Sequence, residues 1–115
     1  MVEIFEIDDH GINKVLDKNY WETKKRYGEE YIYRQLAEEC CELAQACLKD
    51  IRVENQELTV ETKRGVGKVL VEEIADVLIC IGQVIEASGY PPMWIEDAIK
   101  DKVQRTKERL EKTFY

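Results

Sequence analysis

The chain has 115 residues, 44% of them hydrophobic, with a formal net charge of -7 and 1 histidine. That length buries one core without disulfide or metal staples and leaves no room for a second, so residues 1–115 read as a single domain. The acidic balance argues against nucleic acid and anionic membrane surfaces as partners, and admits an anionic small molecule only where metal ions neutralise the site first.

The stretch Met1 to Asp9 is acidic and too poor in apolar residues for a signal peptide, and the longest uncharged run, Val77 to Ile85, is far too short to span a bilayer. A soluble cytoplasmic protein is the expectation. Val2 to Ile7 alternates weakly, as a strand would, but is too isolated to build a sheet. A first helix starts after Asp8-Asp9-His10-Gly11, where an aspartate can cap it, and ends near Gly28. The second runs from about Glu29 to Arg52 through strong helix formers, with no glycine or proline. Residues 53–64 read as a polar connection, and Gly65 and Gly67 blur the start of the next helix. From Lys68 to about Ser88 the sequence is apolar nearly all round, the mark of a central, buried helix. Gly89-Tyr90-Pro91-Pro92 stops that helix and starts a last one, roughly Met93 to Lys112, with Ile95, Ile99, Val103 and Leu110 inward. No repeat or low-complexity tract interrupts the series, and the elements predict an all-α, four-helix-bundle-like fold.

Two of these helices carry an acidic i, i+3 pair on the apolar side. With each residue advancing about 100° around the axis, Leu36, Ala37, Cys40, Leu43, Ala44, Cys47 and Leu48 form one apolar arc. Glu39 falls between Leu43 and Ala46 and Glu42 at the arc's edge, while Glu38 lies with Gln45 and Lys49 toward solvent. In the later helix Glu73 falls between Cys80 and Val84, Asp76 lies beside Val69 and Gln83, and Glu72 sits on the polar edge. Acidic residues at this spacing usually make a solvated face laced by ion pairs. Here the i+4 neighbours of Glu39 and Glu73 are Leu43 and Val77, which cannot pair with a charge. Four carboxylates turned toward hydrocarbon call for a divalent cation.

The cysteines do not compete for that role. No C-x-x-C pattern occurs, and Cys40, Cys47 and Cys80 read as small core residues of a reducing compartment, with Cys41 more exposed. On the last helix Lys102, Arg105 and Arg109 form a cationic edge, with Lys100 and Lys107 on the opposite flank. Basic residues there suit a helix C-terminus by themselves. Beside an acidic metal site they also suit a polyphosphate, whose oxygens metal ions and Lys or Arg can share.

Glu38-Glu39-Cys40-Cys41-Glu42 followed by Glu73-Ile74-Ala75-Asp76 resembles the E-E-x-x-E … E-x-x-D signature of the MazG-like, all-α nucleoside triphosphate pyrophosphohydrolases, relatives of the dimeric dUTPases and dCTP pyrophosphatases. Lys102-Val103-Gln104-Arg105 looks like that family's K-x-x-R element. The resemblance covers about Trp21 to Leu110, with a longer connection between the acidic motifs than is usual for the family. It implies a MazG-like bundle and Mg²⁺-dependent cleavage between the α and β phosphates of a nucleoside triphosphate, with Mn²⁺ as a substitute, in nucleotide-pool housecleaning. By position, Glu39, Glu42, Glu73 and Asp76 would be metal ligands, Lys102 and Arg105 would hold phosphate oxygens, and Glu38 or Glu39 would serve the attacking water. Trp21 or Tyr20 could stack on a base, although core packing is the commoner role for such an aromatic.

Two rivals come from other classes. A di-iron bundle wants E-x-x-H pairs, and His10 lies outside both motifs. A non-catalytic helical interaction or regulatory module accounts for the amphipathic helices but leaves the inward carboxylates unexplained. The helix from Lys68 to Ser88 is apolar on more sides than a small bundle covers, so a homodimer or homotetramer is expected.

Overall fold

The computed structural model describes residues 11–113, so the alternating segment 2–7, the aspartates expected to cap the first helix, and His10 lie outside the described residues. All the described elements are helices: α1 (Ile12–Tyr27), α2 (Glu29–Glu54), α3 (Val60–Ser88) and α4 (Pro92–Thr113).

α1 and α2 are separated by Gly28, whose φ of 86° and ψ of 175° lie in a region that only glycine occupies readily. The Gly28 N–H still donates to the Lys24 carbonyl at 2.9 Å, and the rings of Tyr27 and Tyr31 stack across the break with centroids 4.4 Å apart. α2 continues past the expected end at Arg52 and closes at Asn55, whose side chain donates to the Ile51 carbonyl at 3.0 Å. α3 begins well before Lys68. Thr59 caps it, accepting the Thr62 N–H on Oγ1 at 3.2 Å, and the helix runs on through Gly65 and Gly67. The connection is therefore short, not the polar segment 53–64 that the sequence suggests: one good cap starts the helix, and the two glycines cost it only about 1 kcal/mol each. Gly89, at φ 71°, ends α3, and Pro92 takes the first position of α4.

α2 and α3 form a helical hairpin that carries most of the packing, with α1 against α2. The contact faces follow a strict alternation of three- and four-residue steps. On α2 these positions are Ile32, Leu36, Glu39, Leu43, Ala46, Asp50 and Val53; on α3 they are Val66, Leu70, Glu73, Val77, Cys80, Val84 and Ala87, and all are buried or half-buried. That is the seam of a coiled-coil-like pair. Ile32 is wholly buried, and Tyr20 of α1 completes the core with Ala46, Val53, Val77 and Cys80.

Several expected core residues lie outside this seam. Cys40, Cys47 and Leu48 are exposed because the buried face of α2 is displaced from the middle of its apolar arc toward Glu39. Trp21 is 53% exposed and meets Tyr20 edge-on, with ring centroids 5.1 Å apart. α3 is not buried all round: α2 covers one side, while Val71, Ile74, Leu78 and Ile81 are exposed on the other. Ile99, Val103 and Leu110 of α4, expected inward, face outward too, since α4 does not pack along the other helices. The Cα radius of gyration is 17.6 Å, against roughly 13 Å for a compact chain of this length.

Candidate metal centre

Glu39 and Glu73 occupy seam positions where a helix pair normally places an aliphatic side chain, and Glu42 and Asp76 lie one turn further along at the seam's edge. The hairpin turns these pairs toward one another. Carboxylate oxygens of Glu39, Glu42 and Glu73 come within 4.8 Å of each other. Oε2 of Glu39 and Oε2 of Glu73 are both buried and have no hydrogen-bond partner. Burial is the main cause that raises the Glu39 carboxyl above the usual carboxylate range, followed by the charges of Glu42 and Asp76. The Glu73 carboxyl is raised in the same way, by burial first and then by Glu42 and Asp76.

Asp76 joins Glu39 in a small cleft of about 170 Å³ between α1, α2 and α3, whose other walls are Thr23, Tyr31, Gln35, Ile79, Cys80 and Gln83. All four carboxylates singled out in the sequence thus belong to one locality. Cys80 lies beside them, and burial, reinforced by Glu39 and Asp76, pushes its thiol up to about 11. Glu38 points to solvent as its place on the wheel requires, but it accepts a hydrogen bond from Gln35 Nε2 at 3.3 Å, and Gln35 lines the cleft.

The orphaned oxygens test whether a cation fits. The ion pairs Lys18–Glu22, Lys24–Glu29 and Arg34–Glu30 all lie elsewhere, so none of them compensates the cluster. Hard carboxylate oxygens from two helices, two of them desolvated and unpartnered, are the donor set that Mg²⁺ or Mn²⁺ accepts.

Other expected site residues are placed apart. Lys102 and Arg105 line a concavity on α4 together with Thr106, Glu108, Arg109 and Lys112, and no residue of α2 or α3 lines it. Trp21 does not line the cleft, although its neighbour Thr23 does. The uncharged polar walls were missed in the sequence: Gln83, buried, donates through Nε2 to Asn19 Oδ1 at 2.8 Å and ties α1 to α3 at the cleft's rim. Its signal was its position beside Asp76 on the α3 wheel. Among the described residues no helix is long and apolar enough to cross a membrane. No protein-family model, curated protein or solved structure matches the chain at a significant level.

Proposed function

We propose that the chain is a Mg²⁺-dependent nucleoside triphosphate pyrophosphohydrolase of MazG-like, four-helix-bundle type, working as a homo-oligomer in nucleotide-pool housecleaning. One observation carries the proposal: two glutamates placed in the apolar seam of a helix hairpin face each other with buried, unpartnered oxygens. At neutral pH and without a cation such a pair adds nothing to stability, so its use lies in what it binds.

Glu39, Glu42, Glu73 and Asp76 would hold the metal. When bound, Mg²⁺ supplies neutralisation of the polyphosphate and a lowered pKa for water. Glu38, which accepts a hydrogen bond from the cleft residue Gln35, would order a water at the cleft's edge. Lys102 and Arg105 supply the cations that a triphosphate needs once α4 is brought to the hairpin.

The test is incubation of the purified protein with Mg²⁺ and a panel of nucleoside triphosphates, with products separated by chromatography and Glu39→Gln and Glu73→Gln run in parallel. Monophosphate and pyrophosphate from the parent, lost in both variants, are expected. A parent that cleaves no triphosphate, or variants that cleave as well as the parent, would sink the proposal.

A further inference from the structure

Tyr90 and Trp94 are each 61% exposed at the turn between α3 and α4, and that turn holds them together. Ser88 Oγ donates to the Ile85 carbonyl at 2.8 Å and accepts the Tyr90 N–H at 3.3 Å. Pro91 and Pro92 restrict the backbone that follows, and the Trp94 N–H donates to the Pro91 carbonyl at 3.0 Å. The two rings stack with centroids 5.8 Å apart and planes 29° from parallel. With Ala98 and Lys102, one and two turns further on, they wall a concavity of about 580 Å³, within the size range of small-molecule sites.

Lys102 is also a wall of the cationic concavity that holds Arg105 and Arg109. An aromatic slot and a basic one therefore adjoin through one side chain. With each residue advancing about 100°, Trp94, Ala98, Lys102, Arg105 and Arg109 fall within about 80° of one another, on one face of α4. Lys102 and Arg105 lie about 12 Å and 17 Å along the axis from Trp94. Helical side chains tilt toward the N-terminus, which carries the Lys102 ammonium back toward the rings. A ligand that matches this face is planar and aromatic at one end and polyanionic at the other.

We propose that Tyr90 and Trp94 seat the base of a nucleoside triphosphate whose phosphates run along α4 to Lys102 and Arg105. The site rests on the triphosphate reading of the proposed function and adds where the base goes; Trp21 walls neither α4 concavity. A protein partner would also cover the two rings, but it gives no reason for the cations to share their face. Among the described residues no side-chain amide or carboxylate walls the aromatic slot, so it has little with which to read a base edge. It sorts by stacking area instead, and purines bind more tightly than pyrimidines by a margin within about tenfold. Base and phosphates travel with one helix, so the approach of α4 that brings Lys102 to the acidic cluster delivers the triphosphate as well.

The chain has 2 tryptophans, Trp21 and Trp94, so each can be made the sole fluorescent reporter. Trp21→Phe and Trp94→Phe, checked for helix content by circular dichroism, are titrated in Mg²⁺ with the α,β-methylene analogues of ATP and CTP, which cannot be cleaved at the α–β bond. Both analogues should quench Trp94 in Trp21→Phe and leave Trp21 unmoved in Trp94→Phe. By calorimetry, Trp94→Ala should weaken both analogues by about fivefold to a hundredfold, as the loss of a stacked base requires. It should leave the binding of inorganic triphosphate unchanged, whereas Lys102→Ala should weaken all three ligands. Trp94 emission unmoved by the analogues, quenching of Trp21 in its place, or a Trp94→Ala loss equal for nucleotide and inorganic triphosphate would overturn the site. Uncleavable analogues read binding apart from catalysis. A quenched Trp94 in a chain that hydrolyses no triphosphate sinks the hydrolase reading alone, and hydrolysis with a silent Trp94 sinks the base site alone.

Discussion

Glu39 and Glu73 keep their protons, in the metal-free chain, at pH values where an unfolded chain has released them, because burial and the neighbouring charges of Glu42 and Asp76 hold both carboxyls above the ordinary value of 4.5. Their contribution to stability is therefore fully present below about pH 4.5 and is lost as pH rises through the raised values. The metal-free parent should lose melting temperature over that rise. The double variant Glu39→Gln, Glu73→Gln has no proton to lose there and should lose less, ending more stable than the parent at neutral pH. Melting curves taken in chelator across the acidic to neutral range decide this, and parallel curves for parent and variant would count against strained carboxylates. Ligation takes the charged form, so saturating Mg²⁺ should reverse the trend for the parent only. At the other extreme of burial, Ile32 has no exposed surface and lies one heptad before Glu39. Ile32→Ala should cost about 2–5 kcal/mol by urea unfolding.

The helices are set by their punctuation, and the elements respond to it separately. Thr59→Ala removes the hydroxyl that accepts the Thr62 N–H and should cost about 1 kcal/mol. Gly65 lies inside α3, and a methyl group added there would meet no atom within 4 Å, so Gly65→Ala should stabilise by about 0.5–1 kcal/mol. Urea denaturation of both variants checks the pair of signs. The same punctuation explains what the sequence made legible. Gly28 and the Gly89-to-Pro92 run marked four helix boundaries closely, because Gly28 and Gly89 take backbone conformations that helices do not share and Pro92 suits a helix's first position. The start of α3 was hidden, since two glycines outweighed one threonine in the pattern, while in the fold the cap acts together with the burial of Val66 and Leu70 in the seam. The acidic pairs were legible because each interrupts an apolar stripe in its own helix. Which part of the wide α2 arc meets α3 was not, as a wheel shows that a face is apolar without showing its neighbour. The seven-residue series Ile32, Glu39, Ala46, Val53 held that information, and it turns Cys40, Cys47 and Leu48 to the outside.

For the molecule as a whole, the acidic cluster and the open apolar stripes leave stability waiting on what binds. Anything that binds the folded chain and not the unfolded one stabilises it by mass action. At a free Mg²⁺ concentration a hundredfold above its dissociation constant the gain is about 2.7 kcal/mol, and a domain of this size converts each kcal/mol into a rise of roughly 4–8 °C. A melting temperature raised by roughly 10–20 °C is therefore expected on saturation with Mg²⁺ or Mn²⁺. Salt screening offers a competing cause, because four clustered carboxylates repel one another and any cation atmosphere relieves part of that repulsion. The two separate cleanly. Sodium chloride at matched ionic strength supplies the atmosphere without the ligation, so it should reproduce little of the shift, and the Glu39→Gln, Glu73→Gln variant should lose the Mg²⁺-specific part while keeping the salt-dependent part. If sodium matches magnesium in the parent, the cluster is a repulsive surface that any cation screens, and the metal-dependent chemistry loses its physical basis.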